Sequence, residues 1–106
     1  MPHIDYMKLL HIAAVTLETS TQIDLHTLDI NYYNARLTRD DGSKIEIQLR
    51  VFDFEIELTL SNKIMNEKEL LKWLPKFEYQ LEQNYFKNIA LTHSETNNEY
   101  KIKIVF

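Results

Sequence analysis

Hydrophobic and polar residues alternate through the middle of the chain with the period of a β-strand. Over residues 44–60 the apolar side chains occupy every second position, in one phase up to Val51 and in the opposite phase from Phe52. One strand over this range would span about 56 Å at ~3.3 Å per residue, whereas a domain of this size has a radius of gyration of only ~13 Å. We therefore predict two strands that separate at Val51–Phe52, with Phe52, Phe54 and Ile56 facing the core.

Two further segments have the pattern of extended chain. Residues 21–39 alternate, but their phase changes near His26–Leu28, which predicts a break or bulge there because a slip of one residue exchanges the two faces of a strand. The turn that follows, at residues 40–43, contains Gly42, which can adopt a positive φ. Near the end of the chain, Ile89–His93 and Tyr100–Phe106 are predicted to pair as a hairpin around Ser94–Glu99.

Two segments have helical spacing. Residues 4–18 can be capped by Asp5, although a strand over 9–17 is the alternative. Their apolar positions with helical spacing are Met7, Leu10, Ala14 and Leu17, and Leu9, Ile12, Ala13 and Val15 widen that face. Asn66 and Glu69 form a capping pair that opens the second helix, and Pro75 inside it predicts a kink or a restart. The apolar stripe of this helix is Leu70, Leu74, Phe77, Leu81 and Tyr85.

The order of these elements is helix, strands, helix, hairpin, which is typical of the α+β class. We predict one domain over residues 1–106, with a mainly antiparallel sheet of about four to five strands. An N-terminal helix and a Pro-kinked second helix are expected to pack on one face of that sheet.

Composition excludes several functional classes. The chain of 106 residues has one glycine, too few for a glycine-rich phosphate loop, and no cysteine for a disulfide, thiolate metal site or thiol nucleophile. Its net charge of −4 does not suit non-specific nucleic-acid binding. We expect no cofactor, no signal peptide, no membrane segment and a cytoplasmic location.

The most distinctive polar feature is the run of acids Asp53, Glu55 and Glu57 at every second position. Strand geometry predicts that all three lie on one face, next to a polar face that carries Glu46 and Gln48. One interpretation is an ordinary solvated face with Lys or Arg opposite each acid. The other is an acidic surface that binds a partner protein with a basic surface.

Aromatic residues alternate with acids and amides rather than with Lys or Arg, so most are expected to fill the core. Tyr33 and Tyr79 lie off the apolar stripes and are candidates for an interface. The four histidines lack the close spacing of a zinc site. His11 is predicted to be partly buried and hydrogen-bonded, and His26 and His93 to lie at the surface.

These features favour a small non-catalytic module that binds and occludes another macromolecule. A similar order of elements occurs in toxin-immunity proteins, phage inhibitors of host defence and secretion chaperones, which supports this function by analogy alone. The first alternative is an assembly subunit that associates through sheet edges, for which the terminal strand ending in Val105-Phe106 is a candidate. The second is a metal-dependent nuclease, in which Asp41, Glu46 and Gln48 would stand where an Asp…Glu-x-Lys arrangement is expected.

Overall fold

The computed structural model describes residues 4–21, 25–61, 65–84 and 87–105. Its elements are α1 (Tyr6–Thr21), β1 (Leu25–Ile30), β2 (Asn34–Arg39), β3 (Lys44–Val51), β4 (Glu55–Ser61), α2 (Glu67–Gln83), β5 (Ala90–Thr96) and β6 (Glu99–Val105). The predicted α+β class is confirmed, and the N-terminal segment is a helix rather than a strand. Tyr85 and Phe106, which were assigned to the second helix and the last strand, lie outside the described residues.

All the described strands belong to one sheet of six strands in the order β1-β2-β3-β4-β6-β5, and every neighbouring pair is antiparallel. The sheet has more strands than predicted because residues 21–39 contain a tight turn. In that turn the N–H of Asn31 donates to the carbonyl of Asn34 over 2.9 Å. The terminal strand β6 lies between β4 and β5, so the prediction of a sheet edge at Val105 is wrong and β5 forms that edge instead.

Several predicted turns and one predicted strand irregularity are confirmed. The long alternating segment divides after Val51, and the register of β1 against β2 shifts between Leu25 and Thr27. Gly42 has a φ of 86° in the turn between β2 and β3. The last turn is tighter than predicted, because β5 and β6 pair up to Thr96 and Glu99 and leave only Asn97 and Asn98 between them.

The helices pack on one face of the sheet and bury a single apolar core. Each central strand contributes every second side chain to this core. The side chains in between lie on the opposite face of the sheet and are mostly polar. Trp73 and Phe77 of α2 stack with ring centroids 4.6 Å apart, and both side chains are fully buried. The predicted capping box is present, with Glu69 N–H donating to Asn66 Oδ1 over 2.9 Å and Asn66 N–H to Glu69 Oε1 over 3.1 Å.

Some predictions about exposure are wrong. Phe52 and Phe54 do not face the core; they belong to the turn between β3 and β4, where the alternation of a strand no longer applies. Met7, His11 and Val15 are also exposed, because positions four apart on α1 share the side that faces away from the core.

Pro75 lies inside α2, which continues through it without a restart. None of the described helices is long and apolar enough to cross a bilayer.

Candidate interaction surface

The turn between β3 and β4 displays two aromatic side chains to solvent. The N–H of Phe52 donates to the carbonyl of Glu55 over 2.9 Å and closes the turn, which leaves Asp53 and Phe54 at its tip. Phe54 is 75% exposed and Phe52 is 41% exposed. A tight turn cannot bring these side chains back under the helices, so they remain at the end of the sheet.

The turn between β1 and β2 places two tyrosines at the same end of the sheet. It lies beside β3, since the N–H of Leu49 donates to the carbonyl of Tyr33 over 2.9 Å. The rings of Tyr32 and Tyr33 meet edge-on with centroids 4.7 Å apart, and both side chains are at least half exposed. We call the four side chains Tyr32, Tyr33, Phe52 and Phe54 the aromatic end.

Arg50 connects the aromatic end with the open face of the sheet. Its guanidinium carbon lies 5.4 Å from the ring centroid of Phe52, within the range of a cation–π contact. Its Nη1 atom lies 3.7 Å from Oε1 of Glu57. These two contacts favour one orientation of the Phe52 ring beside the exposed turn.

The structure separates the three acids of the alternating run. Glu57 is 7% exposed and lies between Arg50 on β3 and Lys103 on β6, and its Oε1 has no hydrogen-bond partner among the described residues. Glu57 therefore matches the interpretation in which a basic residue stands opposite an acid. Glu55 is partly exposed opposite Val105, and Asp53 is exposed in the turn rather than on the strand face. Asp53 and Glu55 are the acids of this run that a partner could contact.

Glu46 and Gln48 lie on the open face of the sheet, as predicted. Arg36 donates to Oε1 of Glu46 from Nε and Nη2 over 3.0 and 2.7 Å, so this carboxylate has a charged partner on β2. Both residues line a shallow depression together with Lys44, Thr59, Ser61 and Glu99. The depression contains charges of both signs, which makes this part of the face mixed rather than acidic.

Asp41, the first residue of the nuclease hypothesis, is engaged in its own turn. Its Oδ1 accepts hydrogen bonds from the hydroxyl of Ser43 over 2.6 Å and from the Ser43 N–H over 2.9 Å. These bonds, the hydroxyl bond foremost, hold the pKa of Asp41 below its ordinary value. In the described part of the chain, no three His, Asp or Glu side chains are grouped in a way that could hold a metal ion.

Tyr79 is separated from the other candidate residues. It is 59% exposed, as predicted, but it lies on α2 beside a groove between the two helices. This groove is also lined by Thr16, Thr19, Pro75, Lys76 and Gln80. Tyr79 therefore belongs to the helical layer, whereas Tyr33 and Asp53 lie at one end of the sheet.

No protein-family model, curated protein or solved structure matches this chain. Tyr33 and Asp53 were predicted from the sequence as candidates for partner binding. Tyr32, Phe52 and Phe54 were not predicted as surface residues. The signal for the two phenylalanines was the phase change at Val51–Phe52, because the residues that follow a split strand form its turn.

Proposed function

We propose that this chain is a non-catalytic protein-binding module that occludes a surface of another protein, with the turn between β3 and β4 at the centre of the contact. The observation that carries the proposal is the position of Phe54, 75% exposed at the tip of a tight turn. A large apolar side chain held in water gains free energy when a partner buries it, by about 1.5–3 kcal/mol for a complete burial. Aromatic side chains that enter a partner's pocket are frequent binding hot spots.

The neighbouring tyrosines support a surface larger than one side chain. Tyr32 and Tyr33 are exposed beside the turn, and tyrosine is enriched in interfaces because it combines an apolar ring with a polar hydroxyl. The contact of Arg50 with the Phe52 ring restricts that ring before binding. Restriction of this kind lowers the entropy lost on association.

The charges around Phe54 define the chemistry of the partner. Asp53 precedes Phe54 and Glu55 follows it, and the whole chain has a net charge of −4. Such a surface fits an apolar recess with a basic rim, and the acids would accelerate encounter more than they would strengthen the complex. Coverage of a basic cleft by an acidic module is an action that suits an immunity protein or an inhibitor of a defence system.

The first test compares two variants in which an exposed apolar side chain is replaced by serine. Phe54→Ser removes the aromatic side chain at the tip, and Leu71→Ser removes a side chain that is 51% exposed on α2, outside the proposed surface. Each purified variant is used to capture proteins from a lysate of the source organism. We expect wild type and Leu71→Ser to retain one partner in equal amount and Phe54→Ser to lose it. Retention by Phe54→Ser would contradict the proposal.

The second test separates charge at the turn from net charge. The double variant Asp53→Lys/Glu55→Lys is compared with Glu18→Lys/Glu82→Lys, which makes the same change in net charge with exposed residues of the two helices. Association with the captured partner should slow by about tenfold or more at low salt for the turn variant, and much less for the control. Equal slowing in both variants would show that only net charge matters.

A further inference from the structure

The two edges of the sheet differ in how regular they are. β5 pairs with β6 through all seven of its residues without a shift, from Ala90 opposite Val105 to Thr96 opposite Glu99. β1, at the other edge, has a register shift between Leu25 and Thr27. A bulge interferes with the addition of another strand, whereas a regular edge is a template for it.

The turn after β5 determines which backbone groups point away from the sheet. Asn97 and Asn98 have φ values of 44° and 68°, the positive values of a type I′ turn, in which the flanking pair Thr96 and Glu99 is hydrogen-bonded. Hydrogen-bonded and non-hydrogen-bonded pairs alternate along an antiparallel ladder. The N–H and C=O groups of Leu91 and His93, and with the same parity Glu95, therefore point outward from the edge.

β5 lacks two residue types that commonly protect a sheet edge. Its residues are Ala90, Leu91, Thr92, His93, Ser94, Glu95 and Thr96, so that it contains no proline and no lysine. Six of the seven are exposed, and Leu91 is partly buried against the core. Lysine, proline and bulges are among the means that prevent edge-to-edge pairing.

We propose that β5 pairs with β5 of a second copy of this chain, antiparallel and centred on His93. This register places outward-pointing residues opposite one another, His93 opposite His93 of the partner subunit and Leu91 opposite Glu95 of the partner subunit. It overlaps all seven residues of the strand, and every other register that keeps outward residues opposite one another shortens the overlap. The two sheets then form one continuous sheet with all helices on the same side.

The side chains that meet in this register are compatible with a second copy. On the open face, Thr92 lies opposite Ser94 of the partner subunit, and a hydroxyl pair of this kind stabilises neighbouring strands. Ala90 lies opposite Thr96 of the partner subunit, a pair of small side chains without charge. The one acid of the strand, Glu95, faces Leu91 and not another acid. No carboxylates are therefore brought directly opposite one another, although the chain is acidic.

The pairing surface is separate from the surface proposed for the partner protein. β5 is at the edge of the sheet, whereas the turn that contains Phe54 joins β3 to β4, the two central strands of the sheet. A contact through one strand is small, so we expect a dimer that forms reversibly and depends on concentration. Loss of self-association would leave capture through Phe54 intact, which distinguishes the failure of one proposal from the failure of the other.

The experiment uses charge at the twofold axis. His93→Lys and His93→Glu each place two like charges opposite one another, so each should weaken self-association by about fivefold or more. A mixture of the two variants should restore it, because lysine then faces glutamate. His26→Lys at the other edge, also an exposed residue, is the matched control and should behave as wild type.

Sedimentation velocity over a range of concentrations measures each sample, and circular dichroism verifies that the variants are folded. A wild-type protein that remains monomeric at high concentration would overturn the proposal. It would also be overturned if the mixture associated no better than either variant alone. A monomer that binds extended peptides through β5 would show that the edge serves a foreign strand instead of a second copy.

Discussion

The indole of Trp73 on α2 donates a hydrogen bond to the backbone carbonyl of Ala13 on α1 over 3.2 Å. Both groups are buried, so this bond connects the two helices within the core. It explains why a polar atom can lie in the apolar layer, since the Nε1–H group has a partner there.

Replacement of Trp73 by Phe should therefore lower the free energy of unfolding by about 1–2 kcal/mol through loss of the hydrogen bond and of part of the ring volume. Trp73→Ala should lower it by about 3–5 kcal/mol. Urea denaturation followed by far-UV circular dichroism measures both, with the exposed Tyr79→Phe as control. Equal stability of wild type and Trp73→Phe would mean that the bond contributes nothing.

Glu57 should be the most sensitive acid of β4. Removal of its basic partner in Arg50→Met leaves a buried carboxylate with weaker compensation, and we expect a loss of about 1 kcal/mol, limited because Arg50 itself is 64% exposed. Adding Glu57→Gln should recover part of this loss, since the amide needs no counter-charge. A double-mutant cycle by urea denaturation measures the coupling, and additive single effects would indicate that the 3.7 Å contact is not energetically significant.

The turn between β2 and β3 should make the stability of the folded protein depend on pH in the acidic range. The Ser43 bonds lower the pKa of Asp41 in the folded state. The ionised carboxylate thus stabilises the fold above the ordinary pKa of an aspartate, and this contribution is lost as the pH falls through the lowered value. Asp41→Asn keeps an acceptor but does not titrate.

We expect the melting temperature of wild type to exceed that of Asp41→Asn at neutral pH, and the difference to close as the pH falls below the ordinary pKa of an aspartate and through the lowered pKa of Asp41. Differential scanning calorimetry in a pH series provides the measurement. In a Ser43→Ala background the difference at neutral pH should be smaller. A difference that is constant with pH would contradict the assigned cause.

The β5–β6 turn should require residues that tolerate a left-handed backbone. Asn98 has a φ of 68°, a conformation that β-branched residues adopt at high energy. Asn98→Val should lower the free energy of unfolding by about 1 kcal/mol or more, whereas Asn98→Gly should leave it unchanged or raise it. Thermal unfolding of the pair of variants decides the matter, and a valine variant as stable as wild type would be inconsistent with the turn geometry.

The parts of this fold that depend on local chemistry were predictable from the sequence. The capping pair Asn66 and Glu69 opens α2, and the phase change after Val51 marks a turn, because both depend on residues close together in the chain. The buried side of the central strands also followed from alternation alone. In contrast, Phe52 and Phe54 were wrongly predicted to face the core, because the alternation of the strand was extended into the turn between β3 and β4.

The candidate surface was decided by which segments meet. Asp53, Glu55 and Glu57 look equivalent in sequence, yet only Glu57 is buried between basic residues of two other strands. That difference depends on the register of three strands, and register is a long-range property that no single segment contains. The sequence by itself determined the fold class, the start of α2 at its capping box and the division of the long alternating segment after Val51. The tertiary structure decided the strand order, the edge at β5 and the exposed aromatic end, because these depend on how distant segments pair.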